Sequence, residues 1–225
     1  MKNLRDNLQT VKQNIERAAL HSGRKASEIT LIAVSKTVDI DTVKLACDLG
    51  ISDFGENRVA ELGRKREALP AVNWHMIGRL QSNKVKDVVG KACLIHSLDR
   101  WNLAQELDKR GQVLAQSIPA LLQINIAGEE QKAGIAPGEV HDFLDASSGL
   151  SWVKIFGFMT IAPLFEDGEA SRPVFRELFQ LKKKFSDNSY RNVDLRFLSM
   201  GMSQDYEVAI EEGANIVRIG SAIFG

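Results

Sequence analysis

Cysteine is scarce in this chain: two in 225 residues, Cys47 and Cys93, with neither a CxxC pair nor Cys–His spacing. That excludes a disulfide framework and a thiolate zinc site. It predicts a pair of buried free thiols, as a reducing cytosol keeps them. A surplus of charge of either sign is also lacking. Twenty-nine basic residues face 29 acidic ones, so nothing in the balance recommends nucleic acid or an anionic membrane as partner. The Lys182-Lys-Lys184 run reads as a solvated helix face. No apolar run approaches membrane-spanning length. Met1-Lys-Asn-Leu-Arg opens an amphipathic pattern instead of the charged start and apolar core of a signal peptide, so a cytoplasmic protein is expected. The histidines His21, His75, His96 and His141 fall on separate elements without carboxylates at ligand spacing, and no metal site is expected. Low-complexity linkers are missing too, so residues 1–225 read as one domain.

What is present is alternation. Leu4, Leu8, Val11, Ile15, Ala18 and Ala19 recur at helical spacing, giving a first helix that ends near Ser22-Gly23. Apolar runs bounded by turns then read as strands at 30–35, 53–55, 74–77, 94–96, 120–126, 154–159, 194–199 and 216–219. Helical stretches separate them at 40–49, 58–69, 83–89, 101–109, 139–147, 171–185 and 204–212. Such alternation implies parallel pairing. Eight units in this length match a single (β/α)8 TIM barrel with an extra N-terminal helix covering one mouth and no second domain. A doubly wound open sheet would usually carry a glycine-rich turn after its first strand, and here that strand ends Val34-Ser35-Lys36-Thr37.

In a barrel the C-terminal strand ends share one face, where active sites are built. Lys36, Glu56-Asn57, Gly78-Arg79, Ser97, Asn125 and Thr160 become neighbours there. They meet two Gly/Ser segments, Ser199-Met-Gly-Met-Ser203 and Arg218-Ile-Gly-Ser-Ala222. These segments predict a cup of backbone N–H groups that binds phosphate. Ser203 stands where a helix N-cap would, so first-turn amides are expected to add to the cup. A lysine against an apolar wall loses solvation of its ammonium, which frees the amine as a nucleophile. With an aldehyde nearby, Lys36 would form a Schiff base.

Six segments carry a family resemblance. Leu31-Ile-Ala-Val-Ser-Lys36, Phe54-Gly-Glu-Asn57, Trp74-His-Met-Ile-Gly-Arg-Leu-Gln-Ser-Asn-Lys84, Gly157-Phe-Met-Thr160, Leu198-Ser-Met-Gly-Met-Ser203, and Val217-Arg-Ile-Gly220 with Ile223-Phe-Gly225 resemble the pyridoxal phosphate homeostasis proteins. The resemblance implies a barrel similar to the barrel domain of alanine racemase, carrying pyridoxal 5′-phosphate (PLP) on Lys36. It places Asn57 beside the cofactor ring. Ser203, Gly220 and Ser221 would hold the phosphate, with Ser199 and Gly201 close by. His75 either lines the pocket or is a satisfied histidine inside the barrel. Arg218 would face the pyridine nitrogen. A guanidinium can only donate, so it keeps that nitrogen an acceptor and leaves the ring a poor electron sink.

The implied role is PLP binding in vitamin B6 homeostasis, with delivery to apo-forms of PLP-dependent enzymes and no catalytic turnover. A PLP-dependent amino-acid racemase or lyase is the alternative. Beyond it stand a Schiff-base aldolase for sugar phosphates and a barrel binding some other phosphorylated metabolite. The racemase uses two bases, one a tyrosine from an additional domain. Tyr190 and Tyr206 are not obviously placed as that base, and a monomer is the expectation.

Overall fold

Each apolar run becomes a strand because its alternate residues have two apolar surroundings to enter, the barrel lumen and the layer beneath the helices. The computed structural model describes residues 2–129, 131–187 and 190–225; Met1, Glu130, Asn188 and Ser189 lie outside the described residues. Strands β1 (Thr30–Val34), β2 (Asp53–Glu56), β3 (Asn73–Met76), β4 (Leu94–Leu98), β5 (Ile118–Gln123), β6 (Val153–Met159), β7 (Val193–Ser199) and β8 (Ile216–Ile219) form a closed barrel in chain order. Every pairing is parallel, and β1 closes the ring by pairing with β8, Ile32 opposite Arg218.

The helices are α1 (Lys2–His21), α2 (Ile40–Asp48), α3 (Val59–Ala68), α4 (Val85–Val88), α5 (Trp101–Leu114), α6 (Val140–Ser147), α7 (Arg172–Ser186), α8 (Tyr206–Glu211) and α9 (Ser221–Phe224). α5 runs five residues past its expected end at 109 because Gly111 is a packing position inside the helix, not a stop. A Cβ there would stand 2.5 Å from the Trp152 Cβ.

Two apolar layers result. Residues such as Phe54, Leu62, Trp74, Leu103 and Val217 fill the space between strands and helices. Ile32, Leu94, Leu121, Met159 and Ile216 form a smaller cluster in the lumen. Residues two along from lumen residues must also face the lumen, which places His96 (after Leu94) and Arg218 (after Ile216) inside the barrel.

Contrary to expectation, α1 does not cover a mouth. Near its start Asn7 Nδ2 donates to the Ile223 carbonyl, and just past its end the Arg24 guanidinium donates to the Ala214 carbonyl at 2.9 Å. These partners bracket β8, so α1 runs antiparallel to it along the flank, packed on α8 and α9. The one-turn α9 leaves that flank apolar, and the α1 stripe from Leu4 to Ala19 fills it. The thiols also differ from expectation: Cys47 is half-buried and Cys93 exposed, because Cys93 falls in the turn ahead of β4. No helix among the described residues is long and apolar enough to cross a membrane.

Candidate functional site

The C-terminal ends of the strands surround a cavity of about 750 Å³. Six of the nine residues expected to hold the cofactor line it: Lys36, Asn57, Ser203, Arg218, Gly220 and Ser221, joined by Gly78, Arg79 and Asn125. Lys36 and Asn57 stand in the turns just past β1 and β2, and the other four of the six surround the ends of β7 and β8. Val34, Ile77, Ile161, Leu164 and Phe165 supply apolar walls. Among the described residues, Lys36, Arg79, Lys132 and Arg218 line the cavity against one carboxylate, Asp205, a balance that favours an anionic guest. One expectation fails here. Lys36 is exposed rather than packed against an apolar wall, because β1 stops at Val34 and the lysine falls in the following turn, within reach of solvent.

The anion cup forms differently from its sequence reading. Ser203 is not a helix cap; its Oγ accepts from the backbone N–H groups of Gly220 and Ala222, each at 3.2 Å. Two amides after β8 therefore converge on one oxygen at the cavity wall. The position before α8 belongs to Asp205, whose Oδ1 accepts from the Met202 N–H at 2.6 Å while Oδ2 accepts from the Ser171 hydroxyl at 3.1 Å. That carboxylate closes the turn and delays the helix by two residues, to Tyr206. Gly201 does not line the cavity. Its φ is +93°, and a Cβ there would meet the Ala209 Cβ at 2.6 Å, so glycine is needed for the turn.

Beneath the mouth lies a buried ion pair. Lys65 of α3 and Glu56 at the end of β2 are both fully buried, with Nζ 2.6 Å from Oε1. Lys65 also donates to the Ser35 carbonyl, and the Ser35 hydroxyl donates to the same Glu56 oxygen, each at 2.6 Å. Ser35 precedes Lys36 and Glu56 precedes Asn57, so this cluster ties together the roots of two cavity residues. Glu56 Oε2 is buried without a hydrogen-bond partner.

Ser199, expected close to the phosphate, faces the lumen instead, and His75 takes the second of its two expected places, inside the barrel. Ser199 shares the side of β7 that carries Phe197 into the lumen cluster. Its Oγ stands 2.9 Å from His96 Nδ1 and receives the Arg218 guanidinium at 2.6 Å. His75 is a satisfied interior histidine, with Nδ1 3.1 Å from His96 Nε2 and Nε2 3.1 Å from Asp53 Oδ1. Arg218 completes its contacts by donating to the Thr160 carbonyl at 2.9 Å. Among the described residues no carboxylate pairs with it directly. Burial pushes its pKa down to about 10, opposed only by the more distant charge of Asp205, so the group stays cationic at neutral pH. Burial would raise the Asp53 carboxyl, but hydrogen bonds led by those from His75 and Ser52 outweigh it and hold it below its ordinary value.

Burial, reinforced by the nearby His75 and Arg218, holds the His96 imidazole neutral well below the ordinary histidine range. An unfolded His96 takes up a proton near pH 6.5 that the folded one refuses. Above that pH neither state is charged. Below it, stability falls by up to about 1.4 kcal/mol per pH unit. Urea midpoints of the wild type and His96→Gln between pH 7 and 5 measure this, and the variant should show the shallower pH dependence. Equal slopes would remove His96 as the cause.

The residues the sequence reading gave no role are Asp53, Lys65 and His96; Glu56, expected at the mouth beside Asn57, is buried against Lys65 instead. The lumen pair had a signal, since His75 and His96 sit on neighbouring strands at inward positions. Lys65 had another, lying on the α3 stripe between Leu62 and Leu69.

Residues 7–225 match the family model described as alanine racemase, N-terminal domain. The chain is 44% identical to the pyridoxal phosphate homeostasis protein of Aquifex aeolicus, over 98% of this chain and 96% of that protein. It superposes with a TM-score of 0.84 and 32% identity on PipY of Synechococcus elongatus PCC7942 with PLP bound, covering 99% of this chain and 100% of PipY. Alanine racemase of Clostridium difficile shares the fold, at a TM-score of 0.76 and 17% identity, over 100% of this chain and 60% of that enzyme.

Proposed function

This chain belongs to the family of the pyridoxal phosphate homeostasis proteins, and on that premise we propose that it holds PLP in the barrel mouth, anchored on Lys36, and serves the intracellular supply of vitamin B6 without turnover. PLP makes three demands of a site: a primary amine for its aldehyde, a partner for its ring nitrogen, and an anion cradle for its phosphate. The residues fit all three. Lys36 offers the amine on the same cavity wall as Asn57. For the phosphate, Ser203, Gly220 and Ser221 line the same mouth, and the Ser203 oxygen, accepting from the Gly220 and Ala222 amides, has its own proton to donate to an anion. Arg218 presents a buried cation that no carboxylate among the described residues neutralises. Bound PLP supplies an aldehyde that condenses with an amine, releasing water, and a ring that withdraws electrons when its nitrogen is protonated.

Arg218 argues against transamination, and the lack of a second base at the cavity among the described residues argues against the racemase alternative. The arginine is the observation on which the reading rests. A guanidinium has no acceptor atom and no proton to give up at neutral pH, so a ring nitrogen facing it remains an acceptor and the electron-sink chemistry of transamination is weak. Proton transfer also needs a base within hydrogen-bond reach. Tyr206 hydrogen-bonds Asn14 through its hydroxyl, and Tyr190 hydrogen-bonds His141. Neither tyrosine lines the cavity. The outlet for a molecule held this way is transfer to apo-forms of PLP-dependent enzymes.

Reduction of the PLP-loaded protein with borohydride should add one pyridoxyl group, and peptide mapping should find it on Lys36. A wild-type protein with no adduct, or with none on the Lys36 peptide, overturns the reading. Turnover of an amino acid that is lost in Lys36→Ala would replace it with a PLP-dependent enzyme.

A further inference from the structure

The lumen of the barrel holds one continuous hydrogen-bonded chain: Asp53, His75, His96, Ser199, Arg218. It starts at the first residue of β2, on the N-terminal rim, and ends at the cavity on the opposite face, crossing from the β2–β4 wall to the β7–β8 wall. Its links measure 3.1, 3.1, 2.9 and 2.6 Å. We infer that His96, backed by His75 and Asp53, is a positioning residue for Arg218: it fixes the Ser199 hydroxyl as an acceptor, so the guanidinium meets the ligand in one pose. The inference rests on the reading that Arg218 faces the ring nitrogen of bound PLP.

Proton counting sets the direction of the chain. Arginine only donates, so Ser199 Oγ accepts from it. The single hydroxyl proton of Ser199 then goes to its other partner, His96 Nδ1. A neutral His96 with a bare Nδ1 carries its proton on Nε2 and donates to His75 Nδ1. His75 likewise carries its proton on Nε2 and donates to the Asp53 carboxylate. Ser199, His96 and His75 each donate once toward Asp53 and accept once from the Arg218 side. The opposite direction would turn a lone pair of His75 against a carboxylate, or require a second charge on a buried ring. A carboxylate at the far rim thus selects the tautomer of two imidazoles and, through them, the face that Ser199 shows to Arg218. The arginine needs such a device because its remaining fixed partner is one carbonyl, that of Thr160.

The test has two readouts. In the ligand-free wild type at neutral pH, nitrogen-15 NMR should find both His75 and His96 protonated on Nε2 and bare on Nδ1. In Asp53→Leu that preference should be lost. His96 protonated on Nδ1 in the wild type overturns the inference, and this measurement needs neither PLP nor a variant. In the loaded protein, His96→Leu should shift the absorption band of bound PLP and speed its release about tenfold, the effect of one hydrogen bond to a charged group. His96→Gln, which also accepts on one atom and donates on another, should restore both. A folded His96→Leu protein that releases PLP at the wild-type rate with an unmoved band overturns the positioning role. If the tautomers are as stated but wild-type Lys36 traps no PLP, the PLP reading fails and the relay stands.

Discussion

Lys65→Met is expected to destabilise the protein by about 3–5 kcal/mol, the usual cost of stranding one partner of a buried ion pair. Glu56 would be left without its cation in a fully buried position, with Oε2 already unpartnered and Oε1 left only the Ser35 hydroxyl. The double variant Glu56→Gln/Lys65→Met removes both charges and should recover most of the loss, because a neutral amide still accepts from Ser35. Urea unfolding of the two variants separates the causes. A single variant within about 1 kcal/mol of wild type would mean that the pair contributes little beyond a hydrogen bond. Since the cluster ties Ser35 to Glu56, the single variant should also trap less PLP on Lys36, while Arg172→Ala in the half-buried network with Glu169 and Glu211 should not.

The barrel was legible because its evidence is periodic. Eight apolar runs separated by helical stretches determine both strand order and parallel pairing, and errors at element ends left the topology intact. Positions just past the strands were legible as well, since one closed sheet brings Lys36, Asn57, Ser203, Arg218, Gly220 and Ser221 to one mouth. Side-chain direction was the part that escaped. Ser199 ends β7 and reads as part of a Gly/Ser cup, but the lumen parity it shares with Phe197 turns it toward His96. Ser203 looks like a helix cap, and the choice went instead to Asp205, whose carboxylate reaches the Met202 amide. Lys65 lies on the apolar stripe of α3, but its partner Glu56 shows only once β2 is placed against that helix. A motif names which residues meet; the pleat and the turn decide which of their faces do.

Gly78→Ala is expected to affect stability and site together. A Cβ on Gly78 would stand 2.3 Å from the Asn57 carbonyl oxygen and 2.7 Å from its Cα. Both are backbone atoms, with no rotamer to swing away, so the end of β3 or the turn after β2 has to move. Overpacking of this kind costs about 3 kcal/mol, the upper part of its usual range. Gly78 also accepts the Ser97 hydroxyl through its carbonyl at 2.7 Å, which resists movement on the β3 side and directs the shift onto Asn57. The expected result is a folded, less stable protein whose PLP affinity falls roughly tenfold, the worth of one misplaced polar contact. Gly63→Ala is the matched comparison. It lies within α3, its Cβ would meet only the far end of Lys91 at 3.4 Å, and a helix-interior alanine gains roughly 0.5–1 kcal/mol over glycine. If Gly78→Ala behaved like Gly63→Ala in both melting and PLP titration, the contact between β3 and Asn57 would not set the geometry of the site.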